Sequence, residues 1–202
     1  MKIDQSLYRI PRIFIQGDRD PKGEAYQAAV ALGKAIKATE CWGVSLGAYG
    51  GFVTALEKSG VDCLCHETEI SGHGDVKFKT APAIDCNEIG DLVIQQLGGG
   101  VFDKSKRLIA WGNRLTIWVS TTQSYCFFAG NEGTLAHLFP VLAFIAKRKE
   151  GTEPKKVALI GWEPIKIAAI MQLFGFTRET RWFATFSLDE IDKAVDFLTS
   201  TT

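Results

Sequence analysis

Residues Phe127–Leu138 read FFAGNEGTLAHL. An apolar run stops at Ala129-Gly130, and a helical pattern opens at Thr134. A buried strand that turns into a helix through a glycine-rich loop is the repeating joint of α/β proteins. Working outward, the joint recurs. Upstream, Ile13-Phe14-Ile15 reads as a strand stopped at Gly17-Asp18. Lys22–Thr39 reads as a helix, because Tyr26, Ala29, Val30, Leu32, Ala35 and Ile36 share one face. Trp42–Leu46 reads as a strand, Phe52–Ser59 as a short helix closed by Gly60, and Val61–His66 as a third strand. A hairpin or loop at Ile70–Thr80 is followed by helical patterns at Asn87–Leu97 and Asp103–Ser120. After the strand Tyr125–Ala129 come a helix at Thr134–Arg148, a strand at Lys156–Gly161, a helix at Pro164–Phe174 and a strand at Trp182–Phe186. Ser187 and Glu190 then spell a capping box with Ser187 as N-cap. The alternation predicts a doubly wound, mainly parallel α/β sheet with helices on both faces, Rossmann-like, in one domain over residues 1–202.

Bulk properties narrow the function. Lys+Arg and Asp+Glu are both 23, so the formal charge is zero. That balance argues against a nucleic-acid surface or an anionic membrane surface, but leaves room for one small anion in a local pocket. MKIDQSLYRI carries no apolar signal core, and no run is long enough to span a bilayer. The cysteines (Cys41, Cys63, Cys65, Cys86, Cys126) are odd in number and irregularly spaced. They read as reduced thiols of a cytoplasmic protein.

In an open parallel sheet, ligands bind beyond the carboxyl ends of the strands. The candidate loops are therefore Gly17–Lys22, Gly47–Gly51 and Gly130–Thr134. In the last of these, Gly130 and Gly133 let backbone approach a ligand, and Thr134 stands at a helix entrance with its free amides and dipole. The plain alternative is an ordinary turn capped by Thr or Gly. Gly47, Gly50 and Gly51 form a second glycine-rich turn; the first loop offers Gly17 and the Asp18 side chain. There the plain alternative is that Asp18 or Asp20 caps the following helix. None of the loops spells Gly-x-Gly-x-x-Gly or Gly-Lys-Ser/Thr, which argues against a dinucleotide or P-loop NTPase site.

Taken together, these loops resemble the LOG-like Rossmann superfamily, often labelled "possible lysine decarboxylase". Its motif is Pro-Gly-Gly-x-Gly-Thr-x-x-Glu, and here the stretch reads Ala129-Gly130-Asn131-Glu132-Gly133-Thr134-Leu135-Ala136-His137. Arg114 stands where that family keeps an arginine, fifteen residues before the motif's first position (129 − 114 = 15). The resemblance implies a nucleoside-monophosphate-like ligand, its phosphate on the amides of Gly130, Asn131, Glu132, Gly133 and Thr134. Active relatives cleave a base from ribose 5-phosphate with the arginine and the motif glutamate. A carboxylate suits that reaction because it stabilises oxocarbenium charge. Here His137 replaces the glutamate, and a neutral imidazole supplies no negative charge. The expectation is therefore binding of a phosphorylated nucleotide or nucleotide-like ligand with lost or altered hydrolysis. The alternative is a nucleoside 5'-monophosphate phosphoribohydrolase using Arg114 and His137. Glu132 brings a carboxylate into the loop, where it opposes a phosphate. Pyridoxal-phosphate lysine decarboxylation finds no support, and the reading calls for no cofactor.

Two other clusters read as structural. Cys63-Leu64-Cys65-His66, with His73 and Cys86 beyond, does not complete a tetrahedral set, so no metal is expected. Trp111, one turn from Arg114, reads as core. The helix after the motif is apolar nearly all round from Leu135 to Ala146, and Pro140 should kink it. A sheet covers only one face of such a helix, which predicts a homodimer.

Overall fold

Strands that are apolar on both faces must be covered on both faces. The computed structural model describes residues 12–18, 20–45, 51–61, 63–67, 83–85, 122–147, 155–176 and 181–200. In chain order the elements are β1 (Arg12–Gln16), α1 (Glu24–Ala38), β2 (Trp42–Ser45), α2 (Gly51–Ser59), β3 (Cys63–Glu67), β4 (Ala83–Asp85), β5 (Ser124–Phe128), α3 (Glu132–Ala146), β6 (Lys156–Ile160), α4 (Pro164–Phe174), β7 (Phe183–Phe186) and α5 (Ile191–Thr199). The seven strands form one sheet in the order β4-β3-β2-β1-β5-β6-β7. Every neighbouring pair is parallel. The fold class read from the alternation is the one observed.

The sheet divides two cores by strand alternation. Ile13, Ile15, Cys126, Phe128, Ala158 and Ile160 face one way, under α1, α2 and α5. Phe14, Tyr125, Phe127, Val157, Leu159 and Phe183 face the other, under α3 and α4. Burial pushes the Cys126 thiol and the Tyr125 phenol above their ordinary pKa values, so both stay neutral. The strand order reverses between β1 and β5, which run side by side from Ile13↔Ser124 to Gln16↔Phe127. The crevice at that reversal is where open α/β sheets accept ligands.

Several expectations shift. β4 was not read from the sequence. The Ser187 cap is corrected: α5 begins at Ile191, with Glu190 at its N-cap. Residues 187–190 form a separate turn, closed by the Glu190 N–H donating to the Ser187 carbonyl at 3.2 Å. Leu188 is drawn over the Gly161 turn, which holds this segment out of the helix. The Glu190 carboxylate still accepts from the Ser187 N–H, which is half of a capping box, and it accepts from the Ser187 hydroxyl as well. The Lys193 ammonium, and then those Ser187 donors, hold its pKa down at about 2. α3 continues through Pro140 to Ala146. The readings at Ile70–Thr80, Asn87–Leu97 and Asp103–Ser120 lie outside the described residues. No described helix is long and apolar enough to cross a membrane.

Candidate functional site

The loops after β1 and β5 meet at the reversal point. The Thr134 hydroxyl, buried in the first turn of α3, donates to the Gly17 carbonyl at 3.1 Å. Gly130 lies under Thr134: a Cβ there would collide with the Thr134 hydroxyl and stand 2.8 Å from its Cβ and 3.2 Å from the Asp18 amide nitrogen. Gly17 is small for a similar reason, since a Cβ would lie 2.6 Å from the Phe52 ring and 3.1 Å from Phe128 Cβ. Both glycines are thus required by protein packing, where the sequence suggested an approach by ligand.

The start of α3 is already capped. Asn131 is the N-cap, and its side chain accepts from the Gly133 N–H at 3.1 Å. The Thr134 N–H donates to the Asn131 carbonyl at 3.0 Å. Two of the amides expected to hold a phosphate therefore have partners within the turn. Glu132 is exposed in the first turn, where its charge suits the helix dipole. α1 starts differently: its N-cap is Gly23, which supplies no side-chain cap. Asp18 does not cap α1 either; its carboxylate accepts from the Asp20 N–H at 3.4 Å, within its own loop.

Between these loops lies a crevice of about 490 Å³, lined by Asp18, Asp20, Pro21, Lys22, Ala25, Phe52, Phe128 and Ala129. Its floor is the edge-to-face pair Phe52 and Phe128, with centroids 5.1 Å apart. Its rim carries two carboxylates, the Lys22 ammonium and the uncapped first turn of α1 at Ala25. The volume falls in the range of small-molecule sites. Trp162 steadies the β5 end of the crevice: its indole N–H donates to the Phe127 carbonyl at 2.9 Å. The Ala129 N–H donates to the Ile160 carbonyl at 2.8 Å, carrying the ladder one residue past β5.

Of the residues singled out in the sequence, Asp18 lines the crevice; Gly17, Gly130 and Thr134 meet at the contact between the two loops, with Asn131, Glu132 and Gly133 in the same turn. Gly51 is the first residue of α2, adjacent in sequence to Phe52. Gly47, Gly50 and Arg114 lie outside the described residues. His137 is buried, and its Nδ1 is 2.7 Å from the Gly133 carbonyl. A carbonyl can only accept, so Nδ1 carries the proton and the imidazole is tied to its own helix. Sequence reasoning missed Ala25, Phe52 and Phe128 as lining residues, because they lie inside helices or a strand and not in the loops it searched. Among the described residues no group of three or more His, Cys, Asp or Glu side chains could hold a metal ion.

A comparison with family models finds no match, and neither does one with curated proteins. Solved structures do match. The molybdenum cofactor carrier protein of Chlamydomonas reinhardtii aligns with a TM-score of 0.56 at 17% identity, over 96% of this chain and 100% of its own. The molybdenum cofactor binding protein of the phototrophic bacterium Rippkaea orientalis aligns with 0.55 at 14%, over 95% and 99%. A second structure of the Chlamydomonas carrier gives 0.51 at 17%, over 95% and 99%. At these identities the likeness shows the fold. It also corrects the resemblance to the LOG-like superfamily, which finds no family model behind it, while these three structures are molybdenum cofactor carrier or binding proteins. The physical reason lies in the motif. The positions that match have structural roles: Gly130 packs under Thr134, Thr134 bridges to Gly17, and the Gly133 amide meets its own cap. Ala129, Asn131 and His137 depart from the rest of it.

Proposed function

We propose that the chain binds a small, cofactor-like ligand in the crevice between the β1 and β5 loops. The observation that carries this reading is the crevice itself, about 490 Å³ with an aromatic floor and a charged rim at the strand-order reversal. The likeness to two molybdenum cofactor proteins, aligned over nearly the whole chain, supports a ligand of that general size. In this reading Phe52 and Phe128 support a flat ring. Asp18 and Asp20 accept hydrogen bonds from amino or hydroxyl groups. The anionic end, a phosphate, lies toward Lys22 and the uncapped first turn of α1; the Gly130–Thr134 turn, its Gly133 and Thr134 amides already partnered, borders the Ala129 end. Gly17 packs behind Phe52 and Phe128, and Gly47, Gly50, Gly51 and Arg114 enter on sequence grounds. The molybdenum cofactor would be cargo, and the same pocket chemistry would serve a nucleotide-like molecule.

The test is a thermal-shift and equilibrium-dialysis panel of AMP, GMP, CMP, UMP and molybdenum cofactor, each against inorganic phosphate. At least one organic ligand should raise the melting temperature and be retained. A panel in which none does so would remove the reading. The dialysis also has a charge control: Lys22→Glu should weaken any phosphorylated ligand more than phosphate-free analogues.

A further inference from the structure

A phosphate needs donors, yet of the charged side chains that line the crevice, Asp18, Asp20 and Lys22, two are carboxylates. Among the described residues no ion pair engages either acid. The two acids are not equivalent. Asp20 is exposed, whereas Asp18 is half-buried where the two loops meet. The backbone of Asp18 is held on both sides. The preceding Gly17 carbonyl accepts from the Thr134 hydroxyl at 3.1 Å, and the Asp18 amide nitrogen stands 3.2 Å from where a Gly130 Cβ would lie. Gly17 itself packs against the Phe52 ring, so Asp18 leaves the sheet beside the aromatic floor. Its carboxylate accepts one protein hydrogen bond, from the Asp20 N–H at 3.4 Å, which is long. An ionised carboxylate accepts at both oxygens and donates nothing. Asp18 therefore offers the crevice a fixed acceptor with capacity to spare.

We propose that the crevice selects a guanine-type ring, with Asp18 as the specificity-determining residue. The inference rests on the crevice being the ligand site and names the class of ring it takes. The phenylalanine floor does not choose between bases, because every base offers a π-face to an aromatic side chain. Choice therefore falls to the rim. Guanine presents its N1–H and one N2 amino hydrogen side by side and parallel, one for each oxygen of a carboxylate. Such charge-assisted bonds are about twice as strong as neutral ones, and the paired geometry adds specificity. Adenine and cytosine each set a ring-nitrogen lone pair beside their amino group, so one carboxylate oxygen would face an acceptor. Uracil has a single N–H between two carbonyl oxygens, which the carboxylate repels. Acceptor set against acceptor is the repulsive element from which selectivity comes. The Lys22 ammonium and the uncapped first turn of α1 remain for the phosphate.

Isothermal titration of the full chain with GMP, IMP, AMP and xanthosine monophosphate (XMP) tests this, in the wild type and in Asp18→Asn. The wild type should bind GMP at least about tenfold more tightly than AMP, with IMP, which keeps N1–H but lacks the amino group, in between. XMP has a carbonyl oxygen in place of the amino group and should bind weakest. A side-chain amide offers one acceptor and one donor, which match the N1–H and 2-oxo edge of XMP. Asp18→Asn should therefore lose GMP, gain XMP and invert their order, with the melting temperature unchanged. A damaged fold loses every ligand alike and cannot invert a preference, and the wild-type order tests the ring without any variant. Equal binding of GMP and AMP by the wild type, or parallel changes for all four in Asp18→Asn, would overturn the guanine reading and leave the ligand site standing. Binding of no nucleotide would overturn it too, and the ligand site falls with it only if molybdenum cofactor also fails to bind.

Discussion

At the strand-order reversal single glycines leave no room for a side chain, which makes their substitution informative. Gly130→Ala places a methyl group against Thr134, whose hydroxyl ties the two loops together. Overpacking of this kind costs about 1–3 kcal/mol, and urea unfolding should show it as a lower midpoint with an unchanged slope. Gly17→Ala, under the Phe52 ring, should act in the same direction. Far from the crevice, Lys155 gives a pH signature. Burial, and then the positive charge of Arg12, lower its pKa from 10.5 to about 8. Between those two values the unfolded chain keeps a proton that the folded chain has released, so stability should rise with pH across that window. Below about pH 8 the cost of the buried charge is present in full. Denaturation midpoints measured through the window should climb in the wild type and climb less in Lys155→Met. A falling midpoint would contradict this assignment. His137, the residue that most changed the sequence reading, is occupied by the Gly133 carbonyl.

Elements were legible wherever periodicity had room to act. The apolar strands and the helices among the described residues lie where the pattern put them, with ends displaced by up to three residues. Those displacements have local causes. α3 starts at Glu132 because Asn131, and not Thr134, supplies the cap. α5 starts late because Leu188 packs over the Gly161 turn. β4 escaped notice because three residues, Ala83-Ile84-Asp85, are too few to show alternation. The crevice was half legible: its loops follow from strand-to-helix joints, but Phe52 and Phe128 come from different elements and meet only in space. One contact between elements was invisible in the sequence. Lys156, at the start of β6, donates to the Ser200 carbonyl at 2.5 Å and to its hydroxyl at 2.6 Å, at the C-terminal end of α5. A partly buried cation at a helix C-terminus contributes up to about 2 kcal/mol. Lys156→Met should therefore lower stability by about 1–2 kcal/mol and increase hydrogen exchange first in α5. Uniform loss across the sheet would argue against a local cap.

At the scale of the whole molecule, parallel pairing throughout and the order β4-β3-β2-β1-β5-β6-β7 put a reversal between β1 and β5. Doubly wound winding then opens a crevice at the carboxyl ends, whatever ligand it accepts. The loops specialise it: an aromatic floor from α2 and β5, carboxylates from the β1 loop, and an uncapped α1 beside Lys22. Solved structures of similar fold include proteins that carry or bind the molybdenum cofactor. Binding in the crevice is measured most directly by isothermal titration of the wild type and of Ala25→Trp with AMP and with molybdenum cofactor. Ala25 lines the crevice at the first turn of α1, so the indole would fill the space a ligand needs. The expected result is saturable one-site binding of at least one of the two to the wild type. In Ala25→Trp it should weaken at least tenfold, about 1.4 kcal/mol, with the melting temperature of the free protein unchanged. Equal affinity in the two proteins, or no binding to the wild type, would contradict a ligand site at the β1–β5 reversal.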